Sequence, residues 1–185
     1  MPILHVHLIE GYASATKQRL SRLLTDATRV VVPASAAGIM VTLTEHTADN
    51  FMRGGTARVP APALPDPHEV VRQYLAHMED RDLASARCLL GAGFIMRFPG
   101  AAAMTTLEEL IDWAAPRYRS VKKTIDTLDL APTAGPCVVY VSGTLYGEWH
   151  DGTAFDGIRF IDRFELTNGL ITRQDVWNDI AEERP

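Results

Sequence analysis

The sequence predicts an α+β protein in two parts: an N-terminal β-α-β segment, then a longer segment in which helices precede a long antiparallel sheet. Three observations lead there. Four prolines in the nine residues Val59-Pro60-Ala61-Pro62-Ala63-Leu64-Pro65-Asp66-Pro67 exclude a helix interior or a central strand and mark a stiff joint. Ahead of the joint, a strand-like alternation, a helical stripe and a second strand-like run follow one another. Behind it, helical periodicity gives way to long strand-like runs separated by turn pairs such as Asp151-Gly152 and Asn168-Gly169. The domains are read as 1–58 and 68–185, with 59–67 as the linker.

Residues 3–9 alternate, with Leu4, Val6 and Leu8 on one face and Ile3, His5, His7 and Ile9 on the other, and Gly11 ends the strand. Ser14 is the expected N-cap of a helix over 15–32, whose stripe is Leu20, Leu23, Leu24, Ala27, Val30 and Val31. Pro33 stops it. A second strand over 38–45, reached through a helix of this length, should run parallel to the first. Residues 50–55 lead into a short hairpin. Two strands and one helix cannot cover their own apolar surface, so the chain is expected to form a homo-oligomer.

Beyond the joint, Asp66 should cap a helix over 68–78 with Pro67 in its first turn. A short helix over 82–90 and a brief strand over 94–98 follow. Thr106 and Glu109 have capping-box spacing and should start a helix reaching about Arg119. Strands are expected over 122–131, 137–149, 156–167 and 170–180. A curved antiparallel sheet folded over helices makes a cone-shaped barrel whose cavity suits a small ligand.

With 185 residues, 46% hydrophobic and 22% charged, the chain is neither disordered, collagen-like nor a disulfide scaffold. A net charge of −5 argues against nucleic acid as a partner. No apolar run is long enough to span a membrane, and the N-terminus does not read as a signal peptide. Cys88 and Cys137 adjoin apolar residues and are expected to be free, buried thiols in a reducing cytoplasm. His5 and His7 have metal-ligand spacing but no evident third ligand, so neither a metal nor a cofactor is expected.

Pro2 is the first candidate for chemistry. Removal of Met1 would expose a secondary amine; an α-amino group has a pKa of about 7.7–8.0, and an apolar pocket lowers it toward that of a general base. The first 58 residues resemble the 4-oxalocrotonate tautomerase family in Pro2, Leu8-Ile9-Glu10-Gly11, the helix that follows, Thr44-Glu45 and Phe51-x-x-Gly54-Gly55. That resemblance implies β-α-β protomers assembled as dimers and hexamers, with Pro2 as the base and Phe51 as the wall that keeps its amine neutral. Tyr12 and Met40 stand where the family carries its two arginines, so the grip on a dicarboxylate is lost. Arg53 is either a replacement cation or a solvated turn residue. Tyr12 is either a hydrogen-bond donor to a carbonyl or a packed surface aromatic.

Residues 66–182 resemble the nuclear-transport-factor-2-like superfamily, which includes ketosteroid isomerase and the SnoaL-type polyketide cyclases. Val71-Arg72-Gln73-Tyr74-Leu75 is similar to the isomerase's first helix and puts Tyr74 in the place of its oxyanion-hole tyrosine. Ile161-Asp162-Arg163-Phe164 is similar to the strand carrying its neutral acid and puts Asp162 there. The residues agree: Asp162 shares a strand face with Ile158, Phe160, Phe164 and Leu166, where a lone carboxyl should have a raised pKa and donate a hydrogen bond. The competing reading pairs Asp162 with backbone or an arginine and leaves Tyr74 in the core. Arg97 or Phe98 stands in place of the isomerase's base. Glu148, His150 and Asp151 cluster at a hairpin; Asp175, Trp177 and Asp179 share a strand face, and Asp175 and Asp179 are candidates for the cavity mouth.

Two functions are therefore expected. In the first, Pro2 moves a proton next to the carbonyl of a small carbonyl or enol substrate. In the alternative, a silent tautomerase-like module assembles a SnoaL-like small-molecule-binding, cyclase or dehydratase domain.

Overall fold

The computed structural model describes residues 1–131 and 133–183. The chain divides into two compact units, Met1–Ala63 and Leu64–Pro185.

In the first unit, β1 (Ile3–Ile9) and β2 (Met40–His46) pair in parallel, Ile3 opposite Met40 through Ile9 opposite His46. Between them runs α1 (Ser14–Val31). Its N-cap is Ala13, which makes no side-chain cap, so Ser14 is the first helical residue and not the cap. The helix ends at Val32, one residue before the proline that forbids its continuation. A 3₁₀ turn over Ala36–Gly38 delays β2 to Met40. Two-residue strands β3 (Met52–Arg53) and β4 (Thr56–Ala57) form a hairpin around Gly54-Gly55. Val30, Val31 and Val59 are 86%, 82% and 78% exposed, and all the buried apolar side chains of the described residues lie at or beyond Val70.

The second unit opens with α2 (Pro67–Glu79), where the Asp66 carboxylate accepts from the His68 backbone N–H at 3.0 Å. α3 (Leu83–Arg87) and β5 (Leu90–Arg97) follow. α4 (Leu107–Ala114) starts on the expected Thr106–Glu109 capping box but stops at Ala115, well short of Arg119, because Pro116 cannot continue it. β6 (Ser120–Ala131), β7 (Cys137–Glu148), β8 (Ala154–Thr167) and β9 (Leu170–Asn178) are joined in sequence as antiparallel neighbours. Asn168 (φ 52°) and Gly169 (φ 81°) both take the left-handed backbone that the tight turn between β8 and β9 demands. The sheet order is β5-β9-β8-β7-β6, and β5 runs parallel to β9, so the sheet is mixed and not wholly antiparallel.

The helices cover one face of this curved sheet. Tyr74 of α2, 1% exposed, packs edge-on against Phe94 and Phe164, with ring centroids 6.5 and 5.8 Å away. The same core holds Val71, Met96, Leu107, Val141 and Ile171. Cys137 is half-buried, but Cys88 is exposed at the end of α3, against the expectation of two buried thiols. No helix among the described residues is long and apolar enough to cross a membrane.

Candidate functional site

The alternation of β8 places Ile158, Phe160, Asp162, Phe164 and Leu166 on the inner face, all buried, with Asp162 at 0% exposure. A carboxylate there requires compensation. Lys123 Nζ donates to Asp162 Oδ2 and forms an ion pair with it. Gln174 Nε2 donates to the same oxygen at 3.2 Å, and Tyr74 donates its hydroxyl to Gln174 Oε1 at 3.1 Å. Asp162 Oδ1 has no partner among the described residues. The ammonium also lies 4.3 Å from the centre of the Phe160 ring, a cation–π contact.

Asp162 therefore does not stand alone on its strand face: Lys123 and Gln174 are its partners. Arg159 and Arg163, of opposite strand parity, turn outward to Asp179 (2.7 Å) and Glu165 (2.6 Å). The cation arrives from β6, two strands away in the sheet. A bulge on β6 sets its aim: Ile125 faces Gly143 and Thr127 faces Ser142, so Asp126 is the extra residue. Before the bulge Val121, Lys123 and Ile125 point inward, and after it Leu128 and Leu130 do. The pattern Val121-x-Lys123-x-Ile125 is the sequence signal that would have found Lys123.

Tyr74 lines the cavity that lies under α2 and α4. Its hydroxyl is committed to Gln174, so it is not a free donor for a ligand. Burial, with the negative charge of Asp162 adding to it, pushes its pKa up.

A cavity of about 300 Å³ opens beside the network, walled by Phe98, Trp113, Trp149, Phe160 and Val176, with Lys123 on its surface. A second, of about 540 Å³, lies under α2 and α4. Phe98, Tyr118, Val121 and Lys123 line both. Burial raises the pKa of Tyr118, opposed by the charges of Arg81 and Arg117. The Arg117 guanidinium stacks 3.9 Å from the centre of the Trp113 ring.

Asp175, Trp177 and Asp179 do not line either cavity; Gln174, Val176 and Asn178, of the other parity, do. Asp175 turns to Arg173 at 2.7 Å, Trp177 is 52% exposed, and Asp179 lies past the end of β9. Glu148 pairs with Arg119 at 2.6 Å, the His150 ring bonds to the Ala115 carbonyl at 2.8 Å, and Asp151 accepts from the Thr153 backbone N–H at 2.8 Å.

In the first unit, the Pro2 carbonyl accepts from the Met40 backbone N–H at 3.1 Å, which brings these two residues together. Tyr12 is half-buried, and Met40 is 47% exposed. Phe51 is half-buried with its ring 6.0 Å from that of His46, and Arg53 is exposed in the hairpin. A shallow groove of this unit is lined by Ser14, Lys17, Gln18, Ser21, Leu43 and Glu45, not by Pro2, Tyr12, Met40, Phe51 or Arg53.

No family model and no curated protein matches the sequence. Solved structures do match in fold. TerC, crystallised with polyporic acid, superposes with a TM-score of 0.54 at 13% identity, covering 63% of this chain and 94% of TerC. An NTF2-like protein of unknown function from Burkholderia pseudomallei K96243 gives 0.54 at 15% identity, covering 65% and 95%. A Jannaschia sp. CCS1 protein assigned as a SnoaL-like polyketide cyclase gives 0.52 at 16%, covering 69% and 94%. The C-terminal part of this chain thus has the NTF2-like cone fold shared with SnoaL-like proteins. The likeness at these identities is one of fold.

Proposed function

We propose that the C-terminal cone is a small-molecule site of the SnoaL-like kind, binding an apolar carbonyl or enol compound whose oxygen accepts a hydrogen bond from Lys123. One observation carries this reading: Lys123, ion-paired with Asp162, stands in the wall of a cavity lined mainly by aromatic and aliphatic side chains. Burying an ion pair gains little stability over apolar residues of the same shape, so the pair suits a task beyond packing. An ammonium has three protons, and Asp162 engages one. Lys123 lines the cavity, where a bond from its ammonium to an oxygen gaining negative charge is strong because water is sparse.

Enolisation, cyclisation and dehydration next to a carbonyl all build such charge. Among the described residues no carboxylate lines the first cavity, so the site supplies the electrophile, not the base. Asp162, behind the wall, is a positioning residue. The polyporic acid in TerC supports a small organic ligand in this fold. The N-terminal unit serves as an assembly module, a reading supported by its lack of buried apolar side chains. The proline-amine reading is carried only by the resemblance of the first 58 residues.

Titration with 1-indanone, a neutral aromatic ketone, should quench the fluorescence of Trp113 and Trp149. Lys123→Met should weaken that binding about tenfold, as loss of a charge-assisted hydrogen bond does. Unchanged fluorescence in the wild-type protein would refute the cavity reading.

A further inference from the structure

Three side chains around the cavities are not used by the Lys123–Asp162 network. Tyr118 lines both cavities, Arg117 lines the first, and Arg81 lines the second. Arg117 donates to the Trp113 carbonyl at 2.6 Å and stacks on the indole, which fixes its plane. Among the described residues it has no carboxylate partner. Arg81 follows α2 and holds a left-handed backbone, φ 61°, uncommon for a long side chain. It too has no ion-pair partner among the described residues, although the other charges around that cavity are mostly matched. Arg72 faces Glu69 at 3.7 Å, and Lys122 faces Glu79 at 3.1 Å. Lys123 faces Asp162. Asp80 lies in the same lining, and its charge acts on Lys122. Two guanidiniums are thus left over, one in the lining of each cavity with Tyr118 in both, and both act electrostatically on its hydroxyl.

We propose that Arg81, Tyr118 and Arg117 form an oxyanion-binding site where the two cavities meet, and that the ligand is an aromatic acid whose ring lies between Trp113, Trp149 and Phe160. This rests on the cavity reading above and adds its substrate class. Guanidinium planes suit oxyanions whose charge is delocalised over two oxygens, and the tyrosine hydroxyl adds a neutral donor. The carboxylate of an aryl acid and the ionised enol of a hydroxyquinone share this chemistry. Simple phosphates lack the planar ring that the cavity walls accommodate.

Calorimetric titration of the full chain with two matched pairs tests the proposal: 2-naphthoate against 2-naphthamide, and 2-hydroxy-1,4-naphthoquinone against its methyl ether. At least one acid should bind about tenfold more tightly than its neutral partner, and the preferred pair tells carboxylate from enolate. Arg117→Gln and Arg81→Asn should each remove most of that preference for the acid over its neutral partner. Asparagine tolerates the backbone at position 81, and an unchanged thermal midpoint confirms folding. If neutral and acidic partners bind alike, the oxyanion site is refuted while the cavity reading stands. If none of the four compounds and no 1-indanone binds, both fail.

Discussion

Asp162 is held in place by two donors, Lys123 and Gln174, and this makes the residue scale the place to test the pair. Lys123→Met removes the one cation that pairs with Asp162 among the described residues and leaves a carboxylate at 0% exposure facing an amide. An uncompensated buried charge of this kind costs about 3–5 kcal/mol, to be read from urea unfolding. Adding Asp162→Asn should return most of that loss, because a neutral amide needs no counter-ion. Equal destabilisation of single and double variants would show that Lys123 acts through packing alone. Tyr74 gives a second test. Its folded pKa is raised by burial, so the folded state keeps the phenol proton when the unfolded chain has released it. The stability this tyrosine contributes is complete below the unfolded pKa, about 10, and is lost as pH rises above it. Tyr118 acts in the same direction. Unfolding free energy should therefore fall from pH 9 to 11, and Tyr74→Phe should flatten part of that slope while costing about 1 kcal/mol at pH 7 for the donor lost to Gln174.

At the scale of elements, the register of β6 about its bulge decides which lysine of Lys122-Lys123 reaches the first cavity. Opposite it, a Cβ on Gly143 would press against the Thr124 carbonyl oxygen, far inside contact distance, so only glycine lets the strands approach there. Gly143→Ala should destabilise the cone by about 2–4 kcal/mol and weaken 1-indanone binding in the protein that still folds. Wild-type affinity with wild-type stability would mean that the bulge does not aim Lys123. The same strand shows what a sequence can and cannot convey. The inward set of β8 is legible as plain alternation, and Val121-x-Lys123-x-Ile125 carries the lysine. The bulge is not legible on β6 itself, because its only mark is a glycine on the partner strand. Asp175 and Asp179 look like cavity acids because strand parity without a face assignment is symmetric. The face is set by tertiary packing of Gln174 on Tyr74 and by the arginines that draw Asp175 outward. In the first unit, element order and parallel pairing are legible, but chemistry at Pro2 depends on surroundings that a short segment does not specify.

At the scale of the whole molecule, the two units differ in how far each satisfies itself. The second holds the buried apolar core of the described residues, from Val70 to Val176, and is expected to fold without further cover. The first leaves Ile3, Val30, Val31, Met40 and Met52 about half or more exposed on a parallel pair of strands with one helix, a set that is marginal in water alone. Covering such side chains is worth about 25 cal/mol per Å² of apolar surface, and a second copy of the same unit offers the same apolar chemistry in return. The full chain should therefore run as a homo-oligomer in size-exclusion chromatography with light scattering. Residues 64–185 expressed alone should fold cooperatively, bind 1-indanone with the affinity of the full chain, and run at a smaller assembly size. Val30→Lys together with Val31→Lys, far from any cavity residue in sequence, should reduce the assembly size of the full chain without changing ligand affinity. If the double variant and the truncated chain keep the full assembly size, the contacts between copies belong to the cone and the N-terminal unit is not the assembly module.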